Sequence, residues 1–485
     1  MTTATAIAAA SRNASGQDLA FTIADHLAGT TFADLDADTV TATKLSILDT
    51  VGVTLASSGL TPGVEDYVEV AREFGGTGES PVFGFDDVRL PAPLAAWANG
   101  ALVHGLDFDD LVRDVGYHPS TPTVPTAFAL ASRGGQAGPG GRGGPLPGRD
   151  LLTAIALGND LGTRLAATVP SHGAWFGTPV FGGFASAATA AKLLGLDADA
   201  TRAALGIAFA QAAGTLEMRW SPNSNIASFN GSWPNKAGVM AALLARRGAQ
   251  GIENAFEGRG GLFATYFPGD YDREQVTADL GRRFRGAEVS FKVWPACGGS
   301  HCAIDATLQL FGESGLRADE VDSLTIATTL GTFALTQPIE TRRAPATAMD
   351  AKFSIPYAIA VAAVRGDVTL DDFRPERLAD PAVLAFAQRI DAVDDPSLAI
   401  RKAALPARIE VTTTGGQRLE KRVDQPRGVW PHSRLSPEEV VRKFRDCASY
   451  ARVPVRPEAL DAFVDAVLDL ENVADASTLA LELTR

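Results

Sequence analysis

Residues 45–59 read LSILDTVGVTLASSG. Leu45, Leu48, Val51 and Leu55 recur at steps of three and four residues, the spacing that places apolar side chains on one face of an α-helix. The closing Ser-Ser-Gly is typical of a helix end. Alanine-rich stretches of the same kind continue to about residue 251, and their small side chains favour close helix packing, so we predict an all-helical first domain. Its further predicted helices are 64–74, 91–106, 151–167, 183–194, 198–212 and 238–247.

The pattern changes after about residue 270, where strands alternate with helices. The predicted strands are 289–293, 321–328, 408–413 and 418–423, the last two joined by a Gly-Gly turn. The tail, 436–483, is helical again, which predicts that it packs back on the first domain. We therefore predict a mainly α protein with a second α+β domain. The predicted parts are a disordered start at 1–18, an all-helical domain formed by 19–270 and 425–485, and an α+β lid domain at 271–424.

Charge and composition exclude several classes of partner. The 485-residue chain has a net charge of −14 and a pI near 5.0, and an acidic surface repels nucleic acid and anionic membranes. No segment reaches the roughly 18 to 20 consecutive apolar residues of a membrane span, and residues 1–18 lack the pattern of a signal peptide. Three cysteines, Cys297, Cys302 and Cys447, give no disulfide framework, which predicts a reducing, cytoplasmic location.

Residues 133–149, RGGQAGPGGRGGPLPGR, are of low complexity and predict a mobile insertion. They contain a formal GxGxxG at 138–143, but no strand precedes it, so dinucleotide binding is not predicted. The chain has no GxSxG, HExxH or P-loop motif, and its scattered cysteines do not suit an iron–sulfur cluster. We predict neither a cofactor nor a metal.

The densest group of reactive side chains lies in residues 106–120, LDFDDLVRDVGYHPS. Four aspartates and His118 directly follow a small-residue helix, and a helix end that opens into a loop suits a general base. A solvated acidic loop with capping aspartates is the alternative for any one of these acids. Pro119 holds His118 extended, and an imidazole among acids favours a catalytic role.

A second group lies in residues 291–302, FKVWPACGGSHC, where a predicted strand runs into a glycine turn and a helix at 303–311. Lys292, His301 and the free N–H groups of a helix start would suit a substrate carboxylate. A capped helix with a packed histidine is one alternative. A metal site made by Cys297, His301 and Cys302 is another, disfavoured because the spacing is unusual and no second ligand pair follows.

Two further segments, DDLVRD at 109–114 and NDLGT at 159–163, are similar to the magnesium-binding motifs of class I terpene cyclases. The second motif lacks its closing acid, since Ala167 stands there. Cyclases also line their sites with aromatic rings that stabilise carbocations, and this chain is only 7% aromatic. A magnesium-dependent cyclase is therefore a distant alternative.

Several motifs, taken in order, resemble the MmgE/PrpD family, whose members include 2-methylcitrate dehydratase, cis-aconitate decarboxylase and iminodisuccinate epimerase. The resemblance spans about residues 19–450. It implies a helical domain built from both ends of the chain, an α+β lid, an active site between them and a homodimer. The motifs are SILDTVG at 46–52, NG at 99–100, DFDD at 107–110, HPS at 118–120, LLGL at 193–196, GIENAFEG at 251–258, KVWPACGGSH at 292–301 and AKFSIPY at 351–357.

The resemblance also implies roles for particular residues. Asp107, His118 and His301 match positions that line the family's active site. Lys292 and Lys352 are added as candidates to bind a substrate carboxylate.

The chain departs from the family's decarboxylase-like members at several positions. Leu111 stands in place of a threonine, Phe176 in place of a second histidine, and Ala227 or Ser228 in place of a lysine. These departures disfavour itaconate formation. The residues that we consider as replacements for the lost groups are His172, Lys236 and Arg219.

The resemblance predicts a cofactor-independent lyase that acts on a small polycarboxylic acid. In this hypothesis His118, oriented by Asp107, moves a proton alpha to a carboxylate, while His301 and nearby lysines bind carboxylates and stabilise the enediolate. Loss of a neighbouring hydroxyl gives dehydration, and loss of carbon dioxide gives decarboxylation. The alternatives are epimerisation of an iminodisuccinate-like amino acid derivative and a family member that binds a metabolite without turnover.

Overall fold

The computed structural model describes residues 16–133, 144–221, 224–268, 270–398 and 405–483. The chain forms two compact units, one comprising Met1–Val289 and Ser436–Arg485 and the other Ser290–Leu435. The first is helical apart from a short hairpin, and the second combines helices with a four-stranded sheet. The predicted fold class, mainly α with a second α+β domain, is confirmed.

Both unit boundaries fall later in the chain than the predicted 271 and 425. Residues 271–289 stay with the first unit because the Arg164 guanidinium donates hydrogen bonds to backbone carbonyls of this segment, among them Val276 at 3.0 Å and Ala278 at 2.8 Å. Asp18, predicted to lie in a disordered start, is instead buried and caps the first helix by accepting from the Ala20 amide at 2.9 Å. Residues 1–15 of that predicted segment lie outside the described residues.

Helices of seven or more residues form most of the described structure. In chain order they are α1 (Leu19–Gly29), α2 (Ala37–Leu60), α3 (Val64–Glu73), α4 (Ala92–His104), α5 (Ser120–Ala131), α6 (Gly148–Thr168), α7 (Gly177–Leu193), α8 (Ala198–Phe209), α9 (Ser232–Arg246), α10 (His301–Ser314), α11 (Ile355–Arg365), α12 (Pro381–Ala387), α13 (Pro437–Ala448) and α14 (Pro457–Leu468). Shorter helices are Glu217–Trp220, Leu262–Tyr266, Glu274–Thr277, Leu330–Phe333, Ile339–Arg343, Ala348–Lys352 and Leu479–Glu482. None of the helices in the described ranges combines the length and apolar character needed to span a membrane.

The predicted helices of the first domain are confirmed, but two of them begin a turn or more earlier than predicted. Helices α7 and α9 start at Gly177 and Ser232, and each has a proline in its first turn, where the missing N–H costs nothing. Helix α5 was not predicted, because its two prolines hid the helical pattern. Residues 148–149 belong to α6, so the predicted insertion ends earlier, and its residues 134–143 lie outside the described ranges.

Helix α2 is the central helix of the first unit. Its N-terminus is capped by Asp36, whose carboxylate accepts from the Thr39 amide at 2.7 Å, and it is buried from Ala42 to Ser58. Helix α13 returns from the far end of the chain and packs directly on it at Gly52, where a Cβ atom would lie 3.0 Å from the Phe444 Cα. The tail therefore completes the helical core.

The second unit is built on a sheet of strand order β4-β3-β5-β6, in which β3 and β4 are parallel and the other pairs antiparallel. Helix α10 packs on β5 and β6, and α11 packs on α10. A separate hairpin, β1–β2, belongs to the first unit. The strands are β1 (Ser80–Val82), β2 (Phe85–Leu90), β3 (Val321–Thr328), β4 (Ile390–Asp394), β5 (Ala407–Thr413) and β6 (Arg418–Val423).

Three of the four predicted strands are confirmed as β3, β5 and β6. The predicted strand at 289–293 is wrong: the Phe291 amide donates to the Gly428 carbonyl at 3.1 Å, but the pairing does not extend into a named strand. The segment has the hydropathy of a strand because it contains apolar residues such as Phe291, which is buried without strand pairing. Strand β4 was missed because it is short and carries exposed acids on an edge of the sheet.

Candidate active site

The candidate site begins where α4 ends. His104 is the last residue of α4, and Gly105 lies so close to α2 that a Cβ atom there would be 2.4 Å from the Ser57 Oγ. Asp107 then takes a left-handed backbone conformation, with φ of +50°, which non-glycine residues seldom adopt. This tight exit turns the acidic loop back toward the imidazole of His104.

Asp109 is the centre of the site, and its side chain is fully buried. The Nδ1 atom of His104 lies 3.0 Å from both carboxylate oxygens. The Nδ1 atom of His118 lies 3.0 Å from Oδ2, and the Thr121 hydroxyl donates to the same oxygen at 2.6 Å. Side chains from α4, from the following loop and from α5 thus converge on one carboxylate.

The charges in this cluster fix the hydrogen positions on both rings. Burial alone would raise the pKa of Asp109, but the adjacent His104 and His118 outweigh burial and hold that pKa well below its ordinary value. An ionised carboxylate only accepts hydrogen bonds, so it favours the tautomer of each ring that has its hydrogen on the Nδ1 atom facing Asp109. Nε2 is then the nitrogen of each ring that Asp109 does not engage. The two rings are nearly perpendicular, with centroids 4.8 Å apart.

The backbone of His118 is held by its neighbours. The buried phenol of Tyr117 packs against α6 at Gly162, where a Cβ atom would lie 2.1 Å from the hydroxyl oxygen. The Val112 amide donates to the Tyr117 carbonyl at 2.8 Å, and the His118 amide donates to the Thr178 hydroxyl of α7 at 3.3 Å. Close packing on α6 and α7 therefore presents the imidazole to Asp109.

Asp110 takes part in a different buried network. Its carboxyl group accepts hydrogen bonds from the Ser46 hydroxyl at 3.2 Å and from the Ser120 amide, the first of α5, at 3.3 Å. Burial and the nearby Asp49 raise the pKa of Asp110 to about 8. Asp49 is itself paired with Lys443 of α13 at 2.7 Å. The returning tail therefore supplies the cation beneath the acidic loop.

Asp107 completes the site. One nitrogen of His104, one of His118 and one oxygen of Asp107 lie within 4.8 Å of one another. Among the described residues this is the group of histidines, cysteines and acids whose spacing could hold a metal ion. The same spacing suits an acid–base cluster. The predicted orienting role of Asp107 stays a prediction, and Asp109 is a second carboxylate at the same imidazole, since it lies 3.0 Å from Nδ1 of His118.

An aromatic ring and an arginine lie on one side of the imidazole pair. The Phe176 ring meets the His104 ring edge-on, with centroids 6.3 Å apart. The Arg219 guanidinium carbon lies 5.8 Å from the centroid of the same phenylalanine ring, and the residue is exposed. Phe176 thus forms an apolar side of the site. Of the candidate replacements, Arg219 contacts this phenylalanine ring and so lies next to the site.

The other two candidate replacements have partners elsewhere in the first unit. Nε2 of His172 lies 3.2 Å from the Ala166 carbonyl, and burial lowers the pKa of this histidine. The Lys236 ammonium lies over the rings of Trp97 and Trp233, at 5.6 and 5.1 Å from their centroids. These contacts are with residues other than the imidazole pair, so a role for either stays a prediction.

The remaining predicted residues form a group within the second unit. His301 begins α10, its Nε2 lies 3.2 Å from the Ala296 carbonyl, and its ring meets Trp294 edge-on. The Lys352 carbonyl accepts from the Cys297 amide at 3.0 Å, which joins the lysine's backbone to this segment. His301, Lys292 and Lys352 are all buried. The second unit therefore brings two cations and an imidazole onto neighbouring segments.

Neither alternative metal site is found in the part of the chain that the structure describes. Cys297, His301 and Cys302 do not converge to metal-binding distance. Of the acids in the cyclase-like motifs, Asp109 is bound by two histidines, and Asp160 is bound by Arg164 at 2.8 Å. These acids are occupied by protein cations and donors, which argues against a magnesium site.

Comparison with known proteins agrees with the fold. Models of the MmgE/PrpD N-terminal domain and the MmgE/PrpD C-terminal domain match residues 22–274 and 294–470. The chain belongs to the MmgE/PrpD family. The resemblance predicted from the ordered motifs is thereby confirmed.

Curated MmgE/PrpD relatives align over most of this chain. The cis-aconitate decarboxylase-like protein oryM of Aspergillus oryzae is 28% identical over 466 residues, which cover 92% of this chain and 93% of the relative. Cis-aconitate decarboxylase of Mus musculus is 27% identical, with 90% and 87% covered. 2-Methylcitrate dehydratase of Cupriavidus necator is 26% identical, with 77% and 78% covered. The similarity thus spans both units.

Two central residues of the candidate site were not predicted. Asp109 was counted among four acids without a separate role, and His104 was assigned to the preceding helix. A signal for both was present, because His104 is the last residue of a small-residue helix and Asp109 follows five residues later. A helix end that turns back on itself brings such residues together.

Proposed function

We propose that the chain is a lyase that removes a proton alpha to a carboxylate in a small polycarboxylic acid, with His118 as the base. The observation that carries the proposal is the buried Asp109 carboxylate, which holds Nδ1 of His118 at 3.0 Å and so directs the basic Nε2 nitrogen away from itself. Decarboxylase and dehydratase relatives support an enzyme of the lyase class.

In the proposed reaction, Nε2 of His118 takes the alpha proton, and the electron pair of the broken C–H bond moves into the adjacent carboxylate to form an enediolate. The enediolate then collapses, forms a carbon–carbon double bond and expels a hydroxyl from the neighbouring carbon. That oxygen takes up a proton as it leaves, so water and an unsaturated acid are the products. Asp107, within reach of both imidazoles, is proposed as the second acid–base group.

Cations must hold the substrate, because the protein is acidic overall. We propose Arg219 for this role in the first unit, and Lys292, Lys352 and His301 in the second. A homodimer and independence from cofactors are further expectations of the family resemblance. The apolar residues Phe176 and Leu111, which replace polar residues of decarboxylase-like members, favour dehydration over decarboxylation.

The test is proton NMR in D2O on EDTA-treated protein with citrate, 2-methylcitrate, cis-aconitate and N-substituted aspartates. The expected result is loss of an alpha-proton signal or appearance of an olefinic one with at least one acid. His118→Ala should lower this rate by about 10²-fold or more, since general base catalysis contributes that much. His26→Ala, which removes another histidine of the first unit, should not.

Three outcomes separate the proposal from its alternatives. Alpha-proton exchange without an olefin would indicate the epimerase, and binding without exchange would indicate a non-catalytic family member. Near-normal turnover by His118→Ala would exclude this residue as the base.

A further inference from the structure

We propose that His104 is a positioning residue of the active site, which acts through Asp109 to set the protonation of His118. The inference rests on the proposed function, since it takes His118 as the base. It adds to that function a second histidine whose imidazole shares the same carboxylate.

The geometry makes His104 the residue that orients Asp109. Its Nδ1 lies 3.0 Å from both oxygens of the carboxylate, and Nδ1 of His118 lies 3.0 Å from Oδ2. A donor centred on both oxygens fixes the rotation of the carboxylate plane. Once that plane is fixed, Oδ2 lies where the His118 imidazole can donate to it.

The sharing also limits how strongly Asp109 attracts a proton to His118. Asp109 is fully buried, so its charge is divided among His104, His118 and the Thr121 hydroxyl. A proton added to one imidazole disfavours a proton on the other, because two protonated rings carry like charges and their centroids are 4.8 Å apart.

Of the titratable groups near His118, His104 is the one that shares the Asp109 carboxylate with it. The acidic loop contributes Asp107 and Asp109, and α4 contributes His104. The neighbouring α7 contributes the uncharged Thr178, with Phe176 before it, and Arg219 lies on the far side of that phenylalanine. Asp110, with the Asp49–Lys443 pair, belongs to a separate set of hydrogen bonds.

The test compares His104→Gln with the wild type in the pH dependence of kcat/KM for the acid found by NMR. Glutamine can still donate to Asp109 but cannot carry a proton charge. We expect the acidic limb of kcat/KM to move upward by about half to one pH unit, because Asp109 then attracts a proton mainly to His118. The matched control, His26→Gln, replaces another histidine of the first unit and should leave the limb in place.

A purely structural role for His104 would lower the yield or the thermal stability of the variant without moving the limb, and that result would overturn the inference. If His104→Gln does not fold, the wild type itself supplies the test. Nitrogen-15 NMR of the histidine rings should show hydrogen on Nδ1 of both His104 and His118. Hydrogen on Nε2 alone of His104 would overturn the inference. An active His118→Ala variant would instead contradict the proposed function.

Discussion

Two buried carboxylates of the first unit, Asp109 and Asp160, are both bound to basic side chains, yet they lead to different chemistry. Asp160 accepts from Nε of Arg164 at 2.8 Å and from the Arg285 amide at 2.6 Å. The remaining nitrogens of Arg164 donate to backbone carbonyls, among them Val276 at 3.0 Å. The network of Asp160 is therefore closed within the protein, and it holds the segment at 271–289 on α6.

The network of Asp109 uses only one nitrogen of each partner ring. His104 and His118 both face Asp109 with Nδ1 at 3.0 Å, and each ring has a second nitrogen that can gain or lose a proton. Arginine has no such capacity, because its guanidinium stays protonated in proteins. We therefore propose that the partner residue, and not burial of the acid, separates the carboxylate of the candidate site from the structural one.

The largest expected effect comes from Asp109→Asn. The asparagine amide is neutral, so it cannot attract both imidazoles as the carboxylate does. The tautomer and orientation of His118 are then lost, and kcat should fall by about 10³-fold. Steady-state kinetics on protein checked by circular dichroism would measure this. If Asp109→Asn kept its activity within roughly threefold of the wild type, the proposed difference in role between Asp109 and Asp160 would be wrong.

Asp160→Asn should show the opposite behaviour. The variant leaves the buried guanidinium of Arg164 without its carboxylate, and the free energy of unfolding should fall by about 3 kcal/mol, with kcat retained in the folded enzyme. Urea unfolding measures the first quantity. The double variant Asp160→Asn, Arg164→Met is the control and should recover part of the loss, because no unpaired charge remains buried. A loss of kcat in soluble, folded Asp160→Asn would contradict the structural assignment.

Much of the fold could be predicted from the sequence, because helix and strand periodicities are local. The predicted starts of α7 and α9 were too late, and α5 was missed, because each of these helices contains proline. The boundary at 290 depends on long-range bonds from Arg164 to backbone carbonyls, which leave no periodic pattern in the segment that accepts them.

The candidate site was predicted in part. The acidic loop and His118 were found because their residue types are conspicuous. The part of Asp109 was missed, because the left-handed φ of +50° at Asp107 sets how the loop leaves α4 and lets a second carboxylate reach Nδ1 of His118. Spacing along the chain does not reveal such a turn, nor the packing of Tyr117 at Gly162 that places His118.

Asp110 sharpens the comparison as a third buried carboxyl, which accepts hydrogen bonds from the uncharged Ser46 hydroxyl and Ser120 amide. Burial and Asp49 raise its pKa to about 8. A pKa raised in the folded state means that the native protein binds the extra proton, so stability falls as the pH rises from the unfolded pKa near 4 toward 8.

Asp110→Asn cannot lose a proton, so it should gain stability relative to the wild type between pH 5 and pH 8.5, by on the order of 2 kcal/mol. Urea unfolding at the two pH values measures the difference. Asp305→Asn, in the second unit, is the control and should show no comparable trend. A pH-independent difference between Asp110→Asn and the wild type would mean that Asp110 is already ionised in the native state. Asp110 would then be ionised like Asp109, and the Lys443 ammonium would balance the charges of both Asp49 and Asp110 beneath the acidic loop.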